Sequence, residues 1–248
     1  MHTKITGHTQ LTGLLGSPVS HSISPLMHNE AFGILGLDYA YLCFDVKEKA
    51  LKTAVEGLRT LGARGWNCTM PNKQEMCQLC DHLSPAAEMI GAVNTVVNDN
   101  GLLTGHNTDG TGYMLAVREA GFDITGKTMT LLGAGGASTA IAVQAALDGV
   151  SAINIFNRQG RSWEHAQKLT DTINAHTSCR ASLYDLADMS ALKTCLDFSD
   201  ILTNGTSVGM SPLEGECILP SSSMLHSGLI VSDVIYNPRK TRLMELAK

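Results

Sequence analysis

The chain has 248 residues, a net charge of -5, and 44% hydrophobic against 17% charged residues. That length admits two modest domains, and the balance is that of a water-soluble chain able to bury a core. Mild acidity excludes wholesale attraction to phosphate backbones or anionic membranes, so neither nucleic acid nor membrane is an expected partner. No apolar run approaches the roughly 20 residues of a membrane span, and the opening MHTKITGHTQLTGLLG has no secretory core region.

In chain order, QLTGLLG (10–16) reads as a first strand. Ser24 before Pro25 reads as a helix N-cap with proline at the first helical position, and Gly36 as the stop. YAYLCFDV (39–46) is a second strand, after which Leu51, Ala54, Val55, Leu58 and Leu61 keep helical spacing up to Gly62. GWNCTM (65–70) is a third strand, and the next helix is expected to start at Asn72, with Glu75 completing a capping box. Ser84-Pro85 opens another short helix, and TVVNDNGLLTG (95–105) has the Asx-Gly centre of a hairpin.

The alternation then restarts. KTMTLL (127–132) is a strand, GAGGAS (133–138) a glycine turn and TAIAVQAAL (139–147) a helix. INIF (153–156), a helix from about Ser162, SLY (182–184), DILTN (200–204) and LIVSDVIY (229–236) follow in step. This is the pattern of an α/β protein with largely parallel sheets. A domain boundary is expected near residue 110, within GTGYMLAVREAG (110–121), and the chain ends at or just past an amphipathic stretch, TRLMELAK.

Gly133, Gly135 and the small Ala137 stand between a buried-looking strand and a helix, where backbone N–H groups can approach a pyrophosphate. An NAD site usually places an acid about 20 residues on, to bond the ribose 2′-hydroxyl. Here FNRQGR (156–161) has none. Asn157, Arg158 and Arg161 offer donors and positive charge that suit a 2′-phosphate, so NADP is favoured over NAD.

Around residue 70 two readings compete. Cys68, Cys77, Cys80 and His82 form a soft-ligand cluster, but a structural zinc site brings two paired knuckles and only one CxxC is present. Cys77 and Cys80 keep register with Met76 and Leu83, so the cysteines are expected to pack as small apolar residues and no metal is expected. Seven cysteines, an odd number without a signal segment, fit reduced thiols in a cytoplasmic protein. Lys73, in the first turn of the expected helix, would meet the positive helix end, with Asp109 in GHNTDG as a candidate carboxylate partner. Such opposed influences suit an acid/base lysine.

HSISPLMHN (21–29), NCTMPNK (67–73), GAVNT (91–95), NTDGTG (107–112), GAGGAS, NGTSVGM (204–210) and YNP (236–238), in that order over nearly the whole chain, resemble the shikimate/quinate dehydrogenase family. MPNKQ and GKTMTLLGAGGASTA are most similar to the branch that accepts both substrates. The resemblance implies reversible hydride transfer between the C3 hydroxyl of shikimate or quinate and C4 of a nicotinamide, within aromatic amino acid biosynthesis. It implies Lys73 and Asp109 as the catalytic pair. Ser22 and Ser24 would hold the substrate carboxylate, Thr69, Asn94 and Asp109 the ring hydroxyls, and Tyr41 a further contact. The cofactor would lie on Gly133, Ala134, Gly135, Gly136 and Ala137, on Asn157, Arg158 and Arg161, and on Thr206 and Ser207.

The implied fold is an N-terminal α/β substrate-binding domain, 1–110, and a C-terminal Rossmann NAD(P)-binding domain, 111–248, with a cleft between them. A monomer or homodimer acting only on small molecules is implied. Gly160 stands where the dual-specificity branch places an acid, and Ser207 where it has a lysine, so both NAD and NADP stay open. The family continues past this point with a glutamine-bearing helix, so Lys248 is read as the end of a truncated product or of a divergent member with impaired turnover. A non-catalytic quinate or shikimate sensor is the alternative.

Overall fold

The computed structural model describes residues 5–248; residues 1–4, the head of the stretch read for a leader, lie outside it. The chain divides into two compact units, the first ending at Thr108 and the second starting at Asp109.

The first unit runs β1 (Gln10–Gly16), α1 (Ser24–Leu35), β2 (Tyr39–Asp45), α2 (Glu48–Thr60), β3 (Gly65–Cys68), α3 (Met76–Leu79), β4 (His82–Leu83), α4 (Pro85–Ile90), β5 (Thr95–Asp99) and β6 (Leu102–His106). Its sheet has the order β2-β1-β3-β5-β6-β4. β1 pairs in parallel with β2 and β3, but β3–β5 and β5–β6 are antiparallel. The sheet is therefore mixed rather than largely parallel. Asn100 and Gly101 both have positive φ, 54° and 95°, and a two-residue link of that kind can only fold the chain back on itself.

Leu51, Val55 and Leu58 of α2 are buried and share a core with Leu15, Trp66, Val96 and Leu103. Leu61, expected to continue that stripe, caps the helix and is 75% exposed. Two helix starts also differ from the sequence reading. Ser24 is the first helical residue of α1, with Ile23 at the cap position, while Gly36 ends the helix in the left-handed region as expected. Residues 70–75 form turns, so α3 begins at Met76 and not at Asn72. The reason is visible: the Asn72 side chain is fully buried and its Nδ2 donates to Val46 O at 2.8 Å, so it anchors the turn to the end of β2 and does not cap a helix.

The second unit runs α5 (Asp109–Glu119), β7 (Thr128–Leu132), α6 (Gly136–Leu147), β8 (Ala152–Asn157), α7 (Trp163–His176), β9 (Arg180–Asp185), α8 (Met189–Asp197), β10 (Ile201–Asn204), a 3-10 turn at Ser222–Met224, β11 (Ile230–Asp233) and α9 (Arg242–Leu246). All five strands are parallel, in the order β11-β10-β7-β8-β9. Strand order reverses between β7 and β10, the switch point at which open α/β sheets bind ligands beyond the strand ends. β10 is buried along its whole length and β7 nearly so, as befits strands covered on both faces. Gly110 has no side chain to hold α5 away from the Ala140 carbonyl of α6. α8 was not anticipated, although Asp188 caps it by accepting from Ala191 N at 2.9 Å and Leu192 and Leu196 bury its inner face.

Candidate functional site

In the first unit, the loops at the carboxyl ends of β1 and β3 meet the start of β5, because β5 runs antiparallel with Thr95 opposite Asn67. A chain of polar contacts crosses this edge. The Ser22 hydroxyl donates to Ser24 Oγ at 3.1 Å and accepts from Ser24 N at 3.2 Å. Ser24 also lies close enough to Tyr41 to offset part of the rise that burial gives its phenol, and the Tyr41 hydroxyl donates to Asn67 Oδ1 at 2.7 Å. Asn67 Nδ2 donates to Thr95 Oγ1 at 3.0 Å and Asn94 O at 3.3 Å. Asn94 Oδ1 then accepts from the Thr95 hydroxyl at 2.9 Å and from Thr108 N at 2.9 Å. Tyr41 and Asn94 are thus joined through Asn67, with the Ser22–Ser24 pair beside Tyr41.

Tyr41 is only 3% exposed and stacks on His28 with ring centroids 4.2 Å apart. Burial raises the Tyr41 phenol above its ordinary range and lowers the His28 imidazole. Thr69 follows β3, its N–H donating to Leu15 O at 2.9 Å and its methyl filling the space that a side chain at Gly16 would need. Lys73 sits in the turn before α3, and its carbonyl accepts from Val93 N at 2.8 Å, which holds it next to Asn94 along the chain. The helix end invoked for Lys73 therefore lies three residues further on, at Met76. Asp109, the residue after Thr108, is the first of α5 and belongs to the second unit.

Cys68 is 3% exposed, and Cys77 and Cys80 pack against the same core cluster. Burial pushes the Cys68 and Cys80 thiols up to about 12, and Lys73 partly offsets that rise at Cys68. Among the described residues no group of three or more His, Cys, Asp or Glu is placed to hold a metal ion, and no helix is long and apolar enough to cross a membrane.

In the second unit a cavity of about 560 Å³ opens at the carboxyl ends of β7, β8 and β10. Of the expected residues, Gly133, Ala134, Gly135, Asn157, Arg158, Thr206 and Ser207 line it; Gly136, Ala137 and Arg161 do not. Gly133 has φ +92°, and a Cβ there would sit 2.8 Å from Thr206 Cγ2, so fold geometry alone demands glycine. Gly135 differs: its φ of -76° suits any residue, and a Cβ there would meet nothing within 4 Å. A glycine that neither backbone nor neighbours require, on a cavity wall, fits close approach by a ligand.

No side chain caps the first turn of α6, which leaves its N–H groups to an anion at the positive helix end. Arg158, exposed on the cavity wall, follows the end of β8, and Asn157 Nδ2 fixes the turn by donating to Arg158 O and Ser162 Oγ. Volume, glycine wall and helix end together fit an adenine dinucleotide, and Arg158 adds positive charge to the same wall. Leu186 and Ala187 after β9, and Leu213, Cys217 and Ile218 further on, also line the cavity. Neither drew notice in the sequence, since loop apolar residues carry no periodic signal.

Residues 14–96 match the family model of the shikimate dehydrogenase substrate binding domain. The chain is 58% identical over 245 residues to a shikimate dehydrogenase (NADP(+)) of Listeria monocytogenes, covering 99% of this chain and 84% of that protein. It is 47% identical over 244 residues to a quinate/shikimate dehydrogenase of Escherichia coli, covering 98% and 85%. The 1.45 Å crystal structure of shikimate 5-dehydrogenase from Listeria monocytogenes in complex with shikimate and NAD matches with a TM-score of 0.97 at 57% identity, over 100% of this chain and 86% of that one. Likeness at that level along nearly the whole chain, with motifs at the strand ends of both sheets, places the chain in the shikimate dehydrogenase family.

Proposed function

We propose that the protein is an NAD(P)-dependent oxidoreductase that interconverts shikimate and 3-dehydroshikimate, and quinate and 3-dehydroquinate. The observation that carries this reading is the gathering at one sheet edge of the Ser22–Ser24 pair and of Tyr41 joined to Asn94 through Asn67, with the Lys73 backbone held to the same edge by Val93 N. The first unit is then the substrate-binding unit and the second the dinucleotide-binding unit, in a reducing, cytoplasmic setting that suits seven free cysteines.

Lys73 and Asp109 are the proposed catalytic residues. Lys73 takes the proton from the reacting hydroxyl as the alcohol is oxidised and returns it to the oxygen as the ketone is reduced. The Ser22 and Ser24 hydroxyls donate to the substrate carboxylate, while Thr69, Asn94 and Asp109 bond the ring hydroxyls and fix which oxygen Lys73 meets. When bound, the nicotinamide supplies the hydride acceptor in one direction and the donor in the other. Gly133, Gly135, Asn157, Arg158, Thr206 and Ser207 hold its dinucleotide, and Arg158 tips the choice to NADP.

An absorbance assay of nicotinamide reduction, crossing shikimate and quinate with NAD and NADP, tests this. Turnover is expected with shikimate and NADP, and Arg158→Ala should raise KM for NADP more than for NAD. Lys73→Ala should lower kcat by about 10²- to 10⁴-fold, with shikimate binding by calorimetry largely kept. Wild-type binding of substrate with no turnover in any pairing would reject the enzyme reading in favour of a sensor.

A further inference from the structure

β10 and β11 end side by side, with Asn204 opposite Asp233. Asn204 is 2% exposed, and its carboxamide is fully engaged. Its Oδ1 accepts from Thr206 N at 3.1 Å and from the Thr206 hydroxyl at 2.7 Å. Its Nδ2 donates to Val208 O at 3.2 Å and to Asp233 Oδ1 at 3.1 Å. Asp233 Oδ1 also accepts from Ile235 N at 3.0 Å, and its Oδ2 accepts from the Thr241 hydroxyl at 2.7 Å. Thr241, 3% exposed, is in turn the N-cap of α9.

The segment that Asn204 grips, Gly205–Val208, is one wall of the dinucleotide cavity. Its other anchors face the glycine turn: Gly205 N donates to Leu132 O at 2.9 Å, and Ser138 Oγ donates to Gly205 O at 3.1 Å. The carboxylate of Asp233 does not line the cavity, but it orients the amide that does the gripping. A primary amide has two rotamers of nearly equal shape, and only one puts oxygen towards Thr206 and nitrogen towards Val208. A charged acceptor at position 233 reinforces the choice that Thr206 N and Val208 O make.

We propose that Asp233 and Asn204 are positioning residues for nucleotide binding. Asp233 fixes the Asn204 amide, and the amide holds the Thr206–Val208 wall in the shape that receives the cofactor. This rests on the dinucleotide reading of the cavity given above.

The test is titration of the full chain with NADPH, followed by its fluorescence, with shikimate affinity measured by calorimetry on the same samples. Asp233→Leu should raise the NADPH Kd about tenfold, the scale of a lost hydrogen bond to a charged group, while shikimate affinity holds within about twofold. Asp233→Asn keeps an acceptor for Asn204 and should restore NADPH binding to within about threefold of wild type. If Asp233→Leu does not fold, Thr241→Val, which removes the outermost contact to Asp233 together with the α9 cap, should give a smaller rise confined to NADPH. NADPH binding unchanged in these variants, or lost in step with shikimate binding, overturns the proposal. A wild-type chain that binds no NADPH overturns the dinucleotide reading itself.

Discussion

Asn67 shows how a site residue can pass unnoticed in a sequence. It is a polar residue inside the short strand GWNC, and nothing local marks it. Its meaning comes from the partners at 41, 94 and 95, which two separate segments deliver to it. Cys68, its neighbour, is the opposite case, since apolar packing was the expectation and the core cluster contains it. Its burial has a consequence for pH. The folded-state thiol is pushed from 9.0 up to about 12, so the folded chain holds that proton more tightly than the unfolded one. The stability this represents is intact below pH 9 and is lost as pH rises from 9 towards 12. Denaturant unfolding across that window should show stability falling with pH, and Cys68→Ala should flatten the slope. An identical slope in the variant would mean that the Cys68 thiol binds its proton equally well in the folded and unfolded chain.

At the scale of elements, the glycine turn between β7 and α6 separates two reasons for the same residue type. Gly133 is required by its +92° φ and by Thr206. Gly133→Ala is expected to cost about 1–3 kcal/mol through backbone strain, read as a lower thermal midpoint. Gly135→Ala should stay within about 1 kcal/mol of wild type, the scale of an N-cap change, because nothing crowds its Cβ. Its effect should fall instead on NADPH affinity. Equal midpoints for the two variants would contradict the distinction. The turn, its flanking strand and helix, and the hairpin at Asn100-Gly101 were all legible, because each depends on backbone rules that act over a few residues. The start of α3 was not. Asn72 carries every local mark of a helix cap, yet its side chain is used by Val46, a residue 26 positions away.

For the molecule as a whole, the two units carry different sheets, one mixed and one wholly parallel, and the proposed function divides between them. Hydrogen exchange read by mass spectrometry gives the corresponding expectation. Shikimate should slow exchange at 22–24, 69–73 and 94–95 in the first unit, and NADPH at 133–136 and 205–208 in the second. Protection by shikimate confined to the second unit would reverse the assignment. The amino-acid sequence by itself determined the class of fold, the hairpin and the glycine turn, since these follow from short-range periodicity and motif spacing, while the residues proposed for the substrate came from the family resemblance. Only the tertiary structure decided that Asn67 joins Tyr41 to Asn94, that Asn72 anchors the lysine turn, and that Asp233 reaches the cofactor wall through Asn204. Those are hydrogen bonds between residues 26 to 29 positions apart, and a side chain's partner at that range is chosen by strand order and register.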